Sequence, residues 1–187
     1  MERGSEARVI LPTYLERETL PAVVSGIRQH VPDADILIID DNSSDGTGDI
    51  ADAIASDDPH VRVIHRPGKQ GLGTAYLLGF RHSLSHGYRF AVEMDSDGSH
   101  LARELPQLLT AAKSGAGLAL GARWVPGGRI ENWPWYRQWI SRMGTAVARL
   151  ALRSQLRDLT SGFRGVQTEW LERVDLESLT TQGYGFQ

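Results

Sequence analysis

The chain has 187 residues, 41% hydrophobic and 23% charged, the composition of a soluble globular protein long enough to bury a substantial core in one domain. It contains no cysteine, which excludes disulfides, thiolate metal centres and cysteine nucleophiles and fits a reducing compartment. The formal net charge of −3 conceals an asymmetry: 13 acids against 4 arginines from Met1 to Asp58, but eight arginines, no lysine and only Glu131 and Asp158 from Arg123 to Arg164.

In chain order, an apolar strand is predicted over Arg8–Leu11, followed by Pro12-Thr-Tyr-Leu-Glu16 and an amphipathic helix over Thr19–His30. A second strand, Asp35–Ile39, runs into Asp40-Asp-Asn-Ser-Ser-Asp-Gly-Thr47 and a helix over Thr47–Ser56. Val61–Ile64 is the third strand, followed by Lys69-Gln-Gly-Leu-Gly-Thr-Ala75 and a helix over Thr74–Ser85. The fourth, Phe90–Met94, ends in Asp95-Ser-Asp-Gly-Ser-His100 before a helix over Leu101–Lys113; the fifth, Gly117–Leu120, ends in Gly121-Ala-Arg123. This alternation predicts an α/β domain with a mostly parallel sheet covered on both faces. Ligands in such sheets bind beyond the carboxyl ends of the strands, which is where the acidic and polar segments fall.

Beyond Arg123 the alternation stops. A loop, Val125-Pro-Gly-Gly128, leads to Asn132-Trp-Pro-Trp-Tyr136 and a helical pattern from about Arg137 to Arg153. Trp139, Ile140, Met143, Val147, Leu150 and Ala151 form its apolar arc, and Arg142, Arg149 and Arg153 a basic stripe. Arg137, Ser141, Gly144 and Ala148 share a third face whose small residues leave room beside one guanidinium and one hydroxyl. An arginine run is either a solvated face or a seat for phosphate, which the guanidinium fork fits. The crowding of Trp133, Trp135, Tyr136 and Trp139 reads as loop packing or as an interfacial membrane anchor. No apolar run approaches the roughly 20 residues of a membrane span, and Met1–Ala7 is too polar for a signal peptide, so membrane contact is expected to be peripheral.

Three segments carry chemistry. Asp95-Ser96-Asp97 puts two carboxylates at the end of a buried strand, where both reach one hard divalent cation such as Mg2+ or Mn2+ shared with substrate phosphates. The six histidines lack metal-ligand spacing. In the second segment, Asp45 or Thr47 caps the following helix, whereas Asp40 and Asp41 stand where an acid accepts hydrogen bonds from a base or ribose. The third, Lys69-Gln-Gly71-Leu-Gly73, is not a dinucleotide fingerprint, because Tyr76 occupies its last glycine position and it follows the third strand. It remains a glycine-rich, lysine-bearing entry to a helix, suited to phosphate or to close packing.

The ordered set Pro12-Thr-Tyr-x-Glu-Arg17, Asp40-Asp-x-Ser-x-Asp-Gly-Thr47, Lys69-x-Gly-Leu-Gly-x-Ala75, Met94-Asp-x-Asp97, Gly121-x-Arg123, Asp158-x-Thr-Ser-Gly-Phe-Arg164 and Gly183-Tyr-x-Phe-Gln187 resembles the dolichol- or polyprenol-phosphate mannosyltransferases of glycosyltransferase family 2. Gly98-Ser-His100 and Asn132-Trp-Pro-Trp135 look like the actinobacterial polyprenol monophosphomannose synthases. The resemblance implies a GT-A fold over 1–187, with a nucleotide-sugar and metal-binding part over about 8–122 and an acceptor-binding part over about 123–187. It implies GDP-mannose as donor and a polyprenyl monophosphate as acceptor, with no nucleic-acid partner.

By motif, Pro12, Tyr14, Glu16, Ile39 and Asp41 are expected to hold the guanosine, and Asp95, Ser96 and Asp97 the diphosphate, with Lys69 a further donor contact. Asp95 and Asp97 are the expected metal ligands, and Arg123, Arg137 and Ser141 the expected grip on the acceptor phosphate; Asp95, Asp97 and Arg123 are the catalytic candidates. Ser96 replaces the usual alanine, Gly121-Ala-Arg123 the usual Gly-Ser-Arg, and Ser99 stands where some relatives carry a glutamine ligand. Relatives continue beyond the position of Gln187 with a basic loop and often helices, so a missing segment or a membrane-embedded partner is expected. The expected location is the cytoplasmic face of the plasma membrane. UDP-glucose as donor and a non-catalytic nucleotide- and lipid-binding subunit are the alternatives. A dehalogenase-like phosphatase is disfavoured, because its aspartate pair follows the first strand and this one follows the fourth.

Overall fold

The computed structural model describes residues 6–122, Met143 and 161–176. Six strands occur in this part: β1 (Ala7–Thr13), β2 (Asp35–Asp40), β3 (Val61–His65), β4 (Phe90–Glu93), β5 (Leu118–Leu120) and β6 (Arg164–Gln167). The helices are α1 (Leu20–His30), α2 (Thr47–Asp57), α3 (Leu72–Ser85), α4 (Leu105–Lys113), entered through a 3-10 turn at Ala102–Glu104, and a short α5 (Thr168–Leu171). Each strand and helix expected before Arg123 is present. Of the helix expected over 137–153, Met143 alone is described; it is helical and exposed. Arg123, Arg137 and Ser141 lie outside the described residues.

The sheet order is β3-β2-β1-β4-β6-β5. β1 pairs in parallel with β2 and β4, and β2 with β3, while β6 runs antiparallel to both β4 and β5. β6 was not expected: Arg-Gly-Val-Gln has a single large apolar residue, and its pairing partners are distant in sequence.

Strand alternation divides the core. Val9, Leu11, Ile36, Ile38 and Val92 pack with Leu20, Val24 and Ile27 of α1 and Leu105, Leu108 and Leu109 of α4. Ile10, Leu37, Ile39 and Ala91 face the other way, against Ala75, Tyr76 and Phe80 of α3. Each fully buried aliphatic side chain contributes about 1.5–3 kcal/mol. On that second face, a Cβ added at Gly79 would lie 2.5 Å from Ile10 Cγ2, so a glycine is what lets α3 settle so deeply on β1. One turn earlier on the same helix face, that approach buries Tyr76 and carries its hydroxyl to the end of β4.

Candidate active site

The order of strands reverses between β1 and β4, because β2 and β3 extend one side of β1 and the chain returns to its other side. A crevice opens there. β1 stays in register with β2 as far as Thr13–Asp40, but its last register pair with β4 is Ile10–Glu93. Past that point the segment after β4 leaves the sheet, and Asp95, Ser96 and Asp97 border the gap. Ser96 is buried, and its hydroxyl donates to the Pro12 carbonyl at 2.6 Å, tying the two strand ends together across the crevice. The usual alanine could not make that bond.

The resulting cavity of about 340 Å³ is lined by Pro12, Thr13, Tyr14, Glu16, Asp41, Arg66, Lys69, Gly71, Leu72, Asp95, Ser96 and Asp97. Every residue expected to hold the donor is therefore on its wall except Ile39. That side chain is fully buried in the core beside α3, because Ile39 points to the helix-covered face of β2. Leu15 and Asn42, which follow the ends of β1 and β2, have positive φ values of 64° and 57°. The Leu15 N–H donates to Ser43 Oγ at 3.0 Å, so these two sharply turned loops brace one another at the rim.

Asp95 is partly buried. Burial raises its carboxyl pKa, His100 and the Tyr76 hydroxyl lower it, and Asp97 raises it again. Tyr76 donates to Asp95 Oδ1 at 2.8 Å, and the Ser99 N–H donates to Asp97 Oδ1 at 2.8 Å. Among the described residues, the hydrogen bonds to the two carboxylates thus fall on one oxygen of each. Glu16 also titrates high, through burial first and then the charges of Asp97, Asp45 and Asp95, with a hydrogen bond from Thr19 opposing. Acids that raise one another's pKa around one cavity create a local demand for positive charge. Among the described residues, no group of three histidine or acidic side chains is close enough to chelate a cation alone. Two carboxylates with further oxygens supplied by a diphosphate would suit Mg2+ or Mn2+.

Asp41 lines the cavity, and its carboxylate already has protein partners. Its carboxylate pairs with the buried Arg66 guanidinium and accepts the N–H groups of Gln70 and Gly71 at 3.0 and 3.2 Å. Arg66 also donates to the Gly71 carbonyl at 3.0 Å and to Thr74 Oγ1 at 2.6 Å. The pair organises the glycine-rich turn, where Gly71 has a φ of 95°. Lys69 Nζ sits 4.0 Å from the Tyr14 ring centroid at the opposite wall. The N-cap of α2 is Gly46, which makes no side-chain cap bond, in place of the expected Asp45 or Thr47; Asp45, one residue earlier, accepts from the Thr47 N–H at 3.0 Å. Arg66 and Tyr76 were given no role by the motifs, and His100 entered only as the last residue of Gly98-Ser-His100, with no role assigned. Arg66 stands two residues before Gly68, ahead of the glycine-rich turn, and Tyr76 carried no signal beyond adjacency to that turn.

Comparison with known proteins decides the family. The glycosyl transferase family 2 model matches residues 8–175. The chain belongs to glycosyltransferase family 2. It is 48% identical over 178 residues to an undecaprenyl-phosphate mannosyltransferase of Micrococcus luteus, spanning 95% of this chain and 73% of that protein. It is likewise 48% identical over 180 residues to a polyprenol monophosphomannose synthase of Mycolicibacterium smegmatis, spanning 96% of this chain and 68% of that protein. A mannosyltransferase of Pyrobaculum calidifontis, solved in complex with GDP-Man and Mn2+, superposes with a TM-score of 0.66 at 18% identity over 93% of this chain. The chain spans about half of that structure (48%). The GT-A architecture expected of this family member is the one observed.

Proposed function

We propose that this family 2 glycosyltransferase transfers mannose from GDP-mannose to a polyprenyl monophosphate. The observation that carries the reading is the pair Asp95 and Asp97 on the wall of a cavity at the switch point of the sheet. The names of the two relatives at 48% identity support the lipid-phosphate acceptor and the mannosyl donor. The structural neighbour's GDP-Man and Mn2+ support a nucleotide sugar with a divalent ion.

In this reading Asp95 and Asp97 bind the ion, which when bound offsets the charge growing on the departing diphosphate. Pro12, Tyr14, Glu16 and Lys69 border the space for the donor, and Asp41 acts by holding Arg66 and the 66–71 turn in place. Arg123, Arg137 and Ser141 bind the acceptor phosphate, on the strength of their motifs and of the small-residue helical face that the sequence predicts. A phosphate monoester has its second pKa near 6, so at pH 7 it is already largely a dianion and needs no general base. A phosphate oxygen forms its bond to the anomeric carbon as the bond from that carbon to the GDP oxygen breaks. GDP leaves with the electron pair, giving a β-linked mannosyl phosphate from an α-linked donor.

No described helix is long and apolar enough to cross a membrane, and we place the chain at the cytoplasmic membrane surface through the arginine- and tryptophan-rich 123–153 segment. Calorimetric titration of GDP-mannose with and without Mn2+ or Mg2+ tests the donor site: metal-dependent binding is expected, with UDP-glucose weaker by at least about tenfold, or 1.4 kcal/mol. Tighter binding of UDP-glucose would reassign the donor. An α-linked lipid product would refute direct displacement.

A further inference from the structure

We infer that Tyr76 and His100 are positioning residues that fix the Asp95 carboxylate in the orientation needed for a divalent cation; the inference rests on the metal role proposed for Asp95. Three observations carry it. Tyr76 reaches the site from α3, on the opposite side of the sheet from α1 and α4, and its hydroxyl donates to Asp95 Oδ1 at 2.8 Å. His100 reaches it from the loop after the acidic pair. Its Nδ1 accepts the Asp95 N–H at 3.0 Å, which places the ring proton on Nε2, 3.8 Å from Asp95 Oδ2. The imidazole is mostly buried and stacked on Phe163, with centroids 5.2 Å apart and planes 29° apart, so the ring cannot swing freely.

The carboxylate is thereby held from two directions. One oxygen is engaged by a phenol whose own position is set by the deep seating of α3, while the backbone bearing the carboxylate is anchored by the imidazole. Asp97, by contrast, is exposed and held through the Ser99 N–H of its own turn. Of the two acids, Asp95 is the pre-oriented one, and a ligand oriented before the ion arrives loses less conformational freedom on binding. A hydroxyl and an imidazole supporting a metal-binding carboxylate are supporting partners whose loss typically weakens metal affinity about 10–100-fold.

Mn2+ binding to the GDP-saturated protein, read by electron paramagnetic resonance of free Mn2+, separates this role from a purely structural one. Tyr76→Phe keeps the buried ring and removes only the hydroxyl; it is expected to weaken Mn2+ about tenfold, with metal-free GDP affinity changed less than twofold. His100→Asn offers an acceptor at the position of Nδ1 and is expected to retain more Mn2+ affinity than His100→Phe, which keeps only the stack on Phe163. Rescue by Asn and not by Phe supports positioning. Equal Mn2+ affinity in wild type, Tyr76→Phe and His100→Phe overturns it, as does a loss of GDP affinity as large as the loss of Mn2+ affinity. A wild-type protein that binds GDP but no Mn2+ overturns the metal role of Asp95 and this inference together. Melting temperatures of the variants identify one that fails to fold, and Tyr76→Phe, the smallest change, then decides alone.

Discussion

The two edges of the central sheet both carry polar clusters, yet they are chemically unlike. At the amino-terminal edge, Arg8 of β1 is buried, lies 3.8 Å from the Tyr88 ring centroid and donates to the Tyr88 hydroxyl. Tyr88 donates to Asp35, which also bonds His60 at 2.7 Å, and Arg8 meets His82. Most groups there are answered by another protein group, the buried Arg8 Nε being an exception, and no cavity opens beside them among those described. At the carboxyl edge the strands part, a cavity of about 340 Å³ opens, and Asp95 and Asp97 line it, each accepting a hydrogen bond from the described residues on one oxygen, with His100 Nε2 3.8 Å from the second oxygen of Asp95. Clustering alone does not mark a site. Unspent bonding capacity facing an open space does.

The largest expected effect breaks the carboxyl edge: Asp97→Ala should lower mannosyl transfer about 10²–10³-fold, read with radiolabelled donor, because charge on the leaving group loses its counter-ion. Asp97 is exposed, so its melting temperature should stay near that of the wild type. A variant that keeps more than half its activity would move the metal site elsewhere. The mirror experiment is Tyr88→Phe. It deprives Arg8 of an acceptor and Asp35 of a donor, at an expected cost of about 2 kcal/mol in urea unfolding, with GDP and Mn2+ affinities unchanged. If nucleotide affinity fell with it, the two edges would be coupled and the contrast between them would fail.

The smallest effect is in pH. Burial first, and then the neighbouring Arg8, hold the His82 pKa down to about 4 from its ordinary 6.5. Between about 4 and 6.5 the unfolded chain therefore binds a proton that the folded chain refuses. This contribution lowers stability as the pH falls through that window, and its full value is present above about 6.5. Thermal melts from pH 7 to pH 5 should show a shallower fall for His82→Gln than for wild type. Parallel curves would show that the histidine does not report on the amino edge.

The sequence by itself determined the elements before Arg123 and the edge of the sheet that bears the site. Apolar runs with period two, helical runs with period 3.6 and the acids that follow strands are local signals, readable without tertiary contacts. Only the tertiary structure decided which of those acids are already engaged by a protein cation. Asp41 and Asp97 read alike as strand-end carboxylates, but Arg66, 25 residues along the chain, engages the first and not the second. Ile39 carries the same donor motif as its neighbours and yet faces the core, because the pleat turns it toward α3. Tyr76 and His100 meet at Asp95 only because Gly79 lets α3 sink onto β1 while the loop after β4 folds back over Phe163. Strand β6 likewise exists through pairing with β4 and β5, a long-range gain that four weakly apolar residues do not announce.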